Sequence, residues 1–285
     1  MGDASWRAVT RAGRSFFDVA AAHPGETLLA MDFDGTLAPI VPDPEDSRLD
    51  EGAAQALGRL GGAVGHLVVI TGRGTDAVRR LGRLDERPGL GRLVVLGQYG
   101  VQRYDAATGA TETLPVGDGV PAARHDLEKL LATLSEEGHD LTGVHLEDKG
   151  IAIGVHTRRA SEPEATLALL TPLVEGIARR HGLHVEPGRL VVELRASTRN
   201  KGDALRELVA ETGVCVVAMI GDDLGDLPAF AALEGLRADG LVCCGVVSSS
   251  REQPRLLASA DVVCDGPDGV AAWLNALADR IGKQG

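Results

Sequence analysis

The sequence predicts an α/β fold, a parallel sheet packed between helices, interrupted by a smaller α+β unit. Three observations predict it. Short apolar runs, such as LVVI at 67–70 and LVVL at 93–96, alternate with stretches of helical pattern, as strands covered on both faces do. A turn-rich seam, LPVGDGVP at 114–121, breaks that rhythm. Beyond the seam apolar residues fall at every second position, as at Ile151, Ile153 and Val155, the period of a strand with one solvated face.

The elements follow in order. A helix is expected over 5–22, ahead of a first buried strand at 28–31 (LLAM). Helices at 51–60 and 75–83 then alternate with strands at 67–70 and 93–96. After the seam come a helix at 121–137, strands at 141–147 and 151–156, a helix at 162–181, and strands at 183–186 and 190–195. The parallel pattern resumes near 199 with a helix at 200–212, a strand at 214–220, a helix at 226–235 and a strand at 241–247. A helix at 267–281, carrying Trp273, closes the chain. The expected division is 1–115 with 199–285 for the sheet domain and 116–198 for the insert, joined by linkers near 114–118 and 196–200.

Composition narrows the function. The 285 residues hold 29 Lys plus Arg against 41 Asp plus Glu, a net charge of −12. That balance excludes a general nucleic-acid binder, which needs a basic face to displace counterions. It also excludes docking on an anionic membrane. Aromatics are only 3%, which leaves no platform for stacking bases or sugars. No apolar run nears the roughly 20 residues that span a bilayer. The N-terminus, with Asp3, Arg7, Arg11 and Arg14, lacks the apolar stretch of a secretory signal. Cys215, Cys243, Cys244 and Cys264 form no Cys-x-x-Cys pair, so buried free thiols and a cytoplasmic location are expected.

The strongest chemical signal is MDFDGTLAPI at 31–40. Asp32 and Asp34 sit just past the carboxyl end of a buried strand, where open α/β sheets place their ligands. A solvated Asp-Gly turn is the plain alternative. A calcium loop is not, because Leu37 stands where the sixth position requires glycine. In VVITGR, 68–73, Thr71 ends a strand and Gly72 and Arg73 follow, so a hydroxyl and backbone N–H groups are available to phosphate oxygens. Lys201 opens a helix, and its ammonium can offset carboxylate or phosphoryl charge. In MIGDDLGD, 219–226, Asp222 and Asp223 follow another buried strand.

These four elements, in this order, resemble the motifs of the haloacid dehalogenase-like phosphatases. The resemblance implies a Rossmann-like core with a C2-type cap inserted between the second and third motifs. It implies that Asp32 attacks phosphorus to form an aspartyl-phosphate, and that Asp34 acts as general acid and then base. It implies magnesium held by Asp32, the Asp34 carbonyl and Asp222, with Asp223 and Asp226 as outer partners. Thr71 and Lys201 would stabilise the phosphoryl group, with Gly72 and Arg73 beside the substrate.

Inside the insert, LEDKGIAIGVHTR at 146–158 resembles the Glu-Asp-Lys-Gly…His-x-Arg signature of trehalose-6-phosphate phosphatases, and PGRLVVELRASTRNKGDAL at 187–205 resembles another segment of that family. The resemblance spans about 28 to 275. It implies that Glu147, Lys149, Arg158 and Glu193 contact the disaccharide, with His156 close by. Charged side chains suit a polyol, since each carboxylate can accept from two vicinal hydroxyls. Read alone, residues 147–150 fit a charged hairpin turn better than a binding site, and Arg158 fits a surface residue at a strand end. The chain departs from the family pattern at Tyr99, Ala196, Leu227 and Pro228. The expectation is a monomer that dephosphorylates trehalose 6-phosphate, with a trehalose-phosphate synthase as its candidate associate. Its rivals are a phosphatase for sucrose phosphate or mannosyl-phosphoglycerate and a silent sugar-phosphate sensor.

Overall fold

The structure, a computed structural model, describes residues 5–115, 117, 119–249 and 254–283. Asp3, and Val116 and Asp118 of the seam, lie outside the described residues. In chain order the elements are β1 (Trp6–Ala8), α1 (Arg11–Ala22), β2 (Thr27–Met31), α2 (Glu51–Leu60), β3 (His66–Ile70), α3 (Thr75–Gly82) and β4 (Val94–Gly97). There follow β5 (Gln102–Asp105), β6 (Ala110–Thr113), α4 (Gly119–Glu136), β7 (His145–Asp148), β8 (Ala152–His156), α5 (Pro163–Arg180), β9 (His184–Gly188) and β10 (Val191–Arg195). The chain ends with α6 (Lys201–Thr212), β11 (Val216–Gly221), α7 (Leu227–Ala238), β12 (Val242–Ser248), α8 (Pro254–Leu257), β13 (Val262–Cys264) and α9 (Gly266–Gly282). It divides into two units, Met1–Thr113 with Arg199–Gly285, and Leu114–Thr198.

The first unit is a nine-stranded sheet in the order β1-β13-β12-β11-β2-β3-β4-β5-β6. The strands from β13 to β4 run parallel, and β1, β5 and β6 are antiparallel edges. Alternation along β2 explains the two layers of helices. Leu29 and Met31 join Phe16, Leu57 and Trp273 on one face. Leu28 and Ala30 join Leu205, Leu208, Phe230 and Leu233 on the other.

The second unit is a four-stranded antiparallel sheet, β7-β8-β10-β9. Ile153, Val155, Val192 and Leu194 pack with Val120, Leu127, Leu170, Val174 and Ile177 of α4 and α5. The intervening residues, Gly154, His156, Glu193 and Arg195, belong to the opposite face.

The structure corrects several expectations. The helix expected over 5–22 begins only at Arg11, because Thr10 caps it by accepting from the Gly13 N–H at 3.1 Å. The residues before it form β1, paired with β13. Neither strand was visible in the sequence, since three residues carry no period. The β5–β6 hairpin is not legible in the sequence either: every residue of β6, ATET, is exposed, so no apolar alternation marks it. The parallel sheet therefore carries antiparallel strands at both edges.

Candidate active site

Topology creates the site. From β2 the chain winds outward through β3 and β4 on one side, and it returns through β11 on the other. The carboxyl ends of β11, β2 and β3 thus flank the point where the winding reverses, the usual ligand crevice of such sheets. Asp222, Asp32 and Thr71 are the residues that follow those three strands.

The loop after β2 is hooked back on itself. The Phe33 carbonyl accepts from the Leu37 and Ala38 N–H groups at 2.9 and 2.8 Å, and Gly35 N–H donates to the Ala38 carbonyl at 2.7 Å. Gly35 has φ +73°, and a Cβ there would lie 2.0 Å from Asp222 Oδ2. Only glycine satisfies both constraints. Ser248, at the end of β12, donates to the Gly35 carbonyl at 2.6 Å and pins the loop from across the sheet.

Lys201 is the hub of the site. Asn200 and Asp203 form a capping box that starts α6 here, which fixes Lys201 at the first helical position. Its Nζ lies 2.7 Å from Asp32 Oδ1 and 2.7 Å from Asp226 Oδ1, and the side chain is buried. The other Asp226 oxygen accepts from the Asp222 and Asp223 N–H groups at 2.9 and 3.2 Å. Asp226, expected as an outer partner, is thus wholly buried and joins Asp32 and Asp222 in one cluster, with carboxylate oxygens within 4.8 Å of one another.

With all three carboxyls ionised, one ammonium leaves the cluster negative, and that excess charge raises the proton affinity of Asp32 and Asp222. Burial pushes the Asp32 carboxyl up to about 8, with Asp226 and Asp223 adding to it and Lys201 opposing. Burial likewise pushes Asp222 up to about 8, with Asp32, Asp226 and Asp223 adding. For Lys201, burial alone would lower the ammonium, but Asp226, Asp32 and Asp223 outweigh it and push it up. A compact, buried set of hard oxygen donors with uncompensated charge fits a divalent cation of the magnesium kind.

Asp34 faces other partners. Arg73 grips its carboxylate with both prongs, Nε to Oδ2 at 2.6 Å and Nη2 to Oδ1 at 2.7 Å. The Ser47 hydroxyl is 3.0 Å from Oδ1. Thr71 is buried; its N–H donates to the Leu96 carbonyl at 3.0 Å and its hydroxyl accepts from the Arg73 N–H at 3.2 Å. Tyr99 stands over Gly72, where a Cβ would meet its hydroxyl at 2.8 Å. Pro228, at the start of α7, has its carbonyl against Gly202, where a Cβ would lie 2.3 Å away.

The second unit gathers charge on the open face of its sheet. Register places Glu147, Gly154, Glu193 and Glu186 in one row. Lys149 pairs with Glu193 and lies 3.7 Å from Glu147. His156 Nε2 is 2.7 Å from Glu147 Oε2, and the His145 ring stacks on His156 with centroids 4.7 Å apart. The His156 hydrogen bond, aided by Lys149, holds the Glu147 carboxyl down at about 2 against the opposing effect of burial. Arg158 is exposed in the turn beyond β8, outside this network among the described residues. Ala196 donates its N–H to the Ile151 carbonyl at 3.0 Å, a bond that proline cannot make.

Sequence reasoning missed Ser47, Ser248, His145 and Arg195. Ser47, in a loop, and Ser248, at a strand end, carry no spacing signal. Arg195 and His145 could have been found from strand alternation, since they share a face with Glu193 and Glu147.

Comparison with known proteins gives the family. The sequence model of the trehalose-phosphatase family matches residues 30–257. The chain belongs to that family. Among trehalose-phosphatase relatives, the trehalose-phosphate phosphatase of Mycobacterium avium (strain 104) is 29% identical over 275 residues, covering 92% of this chain and 64% of that protein. This chain therefore spans just under two thirds of that relative's length. The probable trehalose-phosphate phosphatase of Sinorhizobium fredii (strain NBRC 101917 / NGR234) is 30% identical over 234 residues, 79% of this chain and 80% of that protein. The C-terminal domain of the trehalose-6-phosphate phosphatase of C. albicans shares the fold, with a TM-score of 0.72 at 18% identity, over 96% of this chain and 98% of that one. Among the described residues no helix is long and apolar enough to cross a membrane.

Proposed function

We propose that this protein is a magnesium-dependent phosphatase that hydrolyses trehalose 6-phosphate to trehalose and phosphate. The observation that carries the reading is the buried Asp32–Lys201–Asp226–Asp222 cluster at the sheet's switch point, in a chain of the trehalose-phosphatase family.

Lys201 fixes Oδ1 of Asp32, and so directs the carboxylate that attacks phosphorus. The attack forms the Asp32–phosphorus bond and breaks the bond from phosphorus to the sugar oxygen. Asp34 gives that oxygen its proton, then takes one from the water that attacks the aspartyl-phosphate, so phosphate leaves and Asp32 is restored. Thr71 and the N–H groups around Gly72 hold phosphoryl oxygens. Asp32, Asp222 and the Asp34 carbonyl would hold magnesium, with Asp226 beside them; bound there it offsets the charge of the phosphate dianion.

The 114–198 unit acts as the specificity domain. Glu147, Lys149, His156 and Glu193 already form one polar network, which suits the hydroxyls of a disaccharide, and Arg158 joins them on binding. Phosphate release measured on trehalose 6-phosphate, sucrose phosphate and glucose 6-phosphate tests the reading. Turnover concentrated on trehalose 6-phosphate is expected, and comparable rates on the others would overturn it. Glu147→Ala or Lys149→Ala is expected to damage that turnover far more than hydrolysis of 4-nitrophenyl phosphate.

A further inference from the structure

The carboxylate of Asp34 has about four lone-pair positions. Among the described residues Arg73 Nη2 addresses Oδ1 at 2.7 Å and Arg73 Nε addresses Oδ2 at 2.6 Å, while the Ser47 hydroxyl, 3.0 Å from Oδ1, shares its one proton between that oxygen and the Pro39 carbonyl at 3.1 Å. One position, on Oδ2, remains. The guanidinium is itself fixed: Nη2 also donates to the Pro44 carbonyl at 3.0 Å, and its carbon lies 5.9 Å from the centre of the buried Phe33 ring. A planar fork held on both its edge and its face sets the plane of the carboxylate it grips.

We propose that Arg73 is the positioning residue of Asp34, and that it leaves Oδ2 of Asp34 as the atom that exchanges the proton with the sugar oxygen. This rests on the phosphatase reading above, and it assigns Arg73 to the proton-transfer group rather than to the phosphate. The fork matters as much as the charge, because a lysine ammonium cannot address both oxygens in one plane.

The test is leaving-group dependence. In Arg73→Lys, kcat/KM for phenyl phosphate and trehalose 6-phosphate is expected to fall by about 10²-fold, the scale of general acid catalysis. With 2,4-dinitrophenyl phosphate, whose leaving group needs no proton, the loss is expected to stay within about threefold, against that same scale. Inhibition by inorganic phosphate is expected to be unchanged. In an Asp34→Asn background, Arg73→Lys is expected to cost nothing further, as residues acting as one unit are non-additive. Ser47→Ala, which leaves the charge in place, is expected to show the same leaving-group pattern more weakly. Equal losses on both aryl phosphates, with weakened phosphate inhibition, would place Arg73 on the phosphate and overturn the proposal. Full additivity with Asp34→Asn would overturn it too. The aryl phosphates need no sugar recognition, so a parent enzyme that ignores trehalose 6-phosphate but hydrolyses them would remove the substrate assignment and leave this test intact.

Discussion

Asp226 shows how much one side chain can hold. It accepts from a buried ammonium and from two backbone N–H groups, and so it fixes both Lys201 and the chain that bears Asp222. Asp226→Ala would leave the Lys201 charge with Asp32 alone and two N–H groups without an acceptor. The expected cost is about 3–5 kcal/mol, the range for breaking a buried pair, read by urea unfolding. Asp226→Asn, whose amide oxygen can still accept from the Asp222 and Asp223 N–H groups, is expected to lose less. The sequence marked Asp226 as an acidic residue near the site. It could not mark it as the most deeply buried of the cluster, because burial is set by α6, β2 and β11 arriving together from distant parts of the chain. Asp34 and Arg73 make the same point: 39 positions separate them, and no spacing rule joins them.

At the scale of elements, what was legible had a local cause. The strands β2, β3 and β11 are continuous apolar runs because helices cover both their faces, and these are the strands that end in Asp32, Thr71 and Asp222. The β5–β6 hairpin lies at an edge with nothing to bury, and β1 and β13 are held by partners rather than by pattern. Helix α6 is the element whose start matters most to the site. Its Asn200 side chain accepts from the Gly202 and Asp203 N–H groups at 2.9 and 3.1 Å. Asn200→Ala is expected to cost about 1 kcal/mol, seen as a lower Tm. It is also expected to reduce turnover, because Lys201 is the first residue of the turn that would fray. An unchanged kcat with a lowered Tm would separate the cap from the chemistry. In the second unit, Ala196→Pro would remove the hydrogen bond to Ile151 that extends the β8–β10 ladder, at a cost of about 1 kcal/mol.

The net charge of −12 bears on the whole molecule through its most buried acids. Asp32 and Asp222 have carboxyl groups pushed from 3.8 up to about 8 by burial and by their acidic neighbours. A carboxyl that holds its proton more tightly folded than unfolded favours the fold at low pH, and that contribution is lost as pH rises from about 4 toward 8. With divalent cations chelated, stability is therefore expected to fall between pH 6 and 8 more steeply than in Asp222→Asn, which removes one of the two groups. Glu147 titrates in another window. Its carboxyl is held down at about 2, so its contribution is present above the ordinary 4.5 and lost only below it. The lowered His145 and His66 imidazoles act with the opposite sign, since a histidine kept neutral by folding favours the fold as pH rises. They are common to parent and variant, and cancel in the difference. Magnesium at about 100 times its Kd would restore about 2.7 kcal/mol by mass action. At one fixed magnesium concentration the gain is expected to grow from pH 6 to 8, as the cation displaces fewer protons, and to shrink sharply in Asp222→Asn. Thermal unfolding of both proteins, chelated and with magnesium, at three pH values measures all of it. A chelated parent whose stability falls between pH 6 and 8 no more steeply than that of Asp222→Asn, or a variant that gains as much from magnesium as the parent, would show that the charge of this cluster is balanced within the chain and calls for no cation.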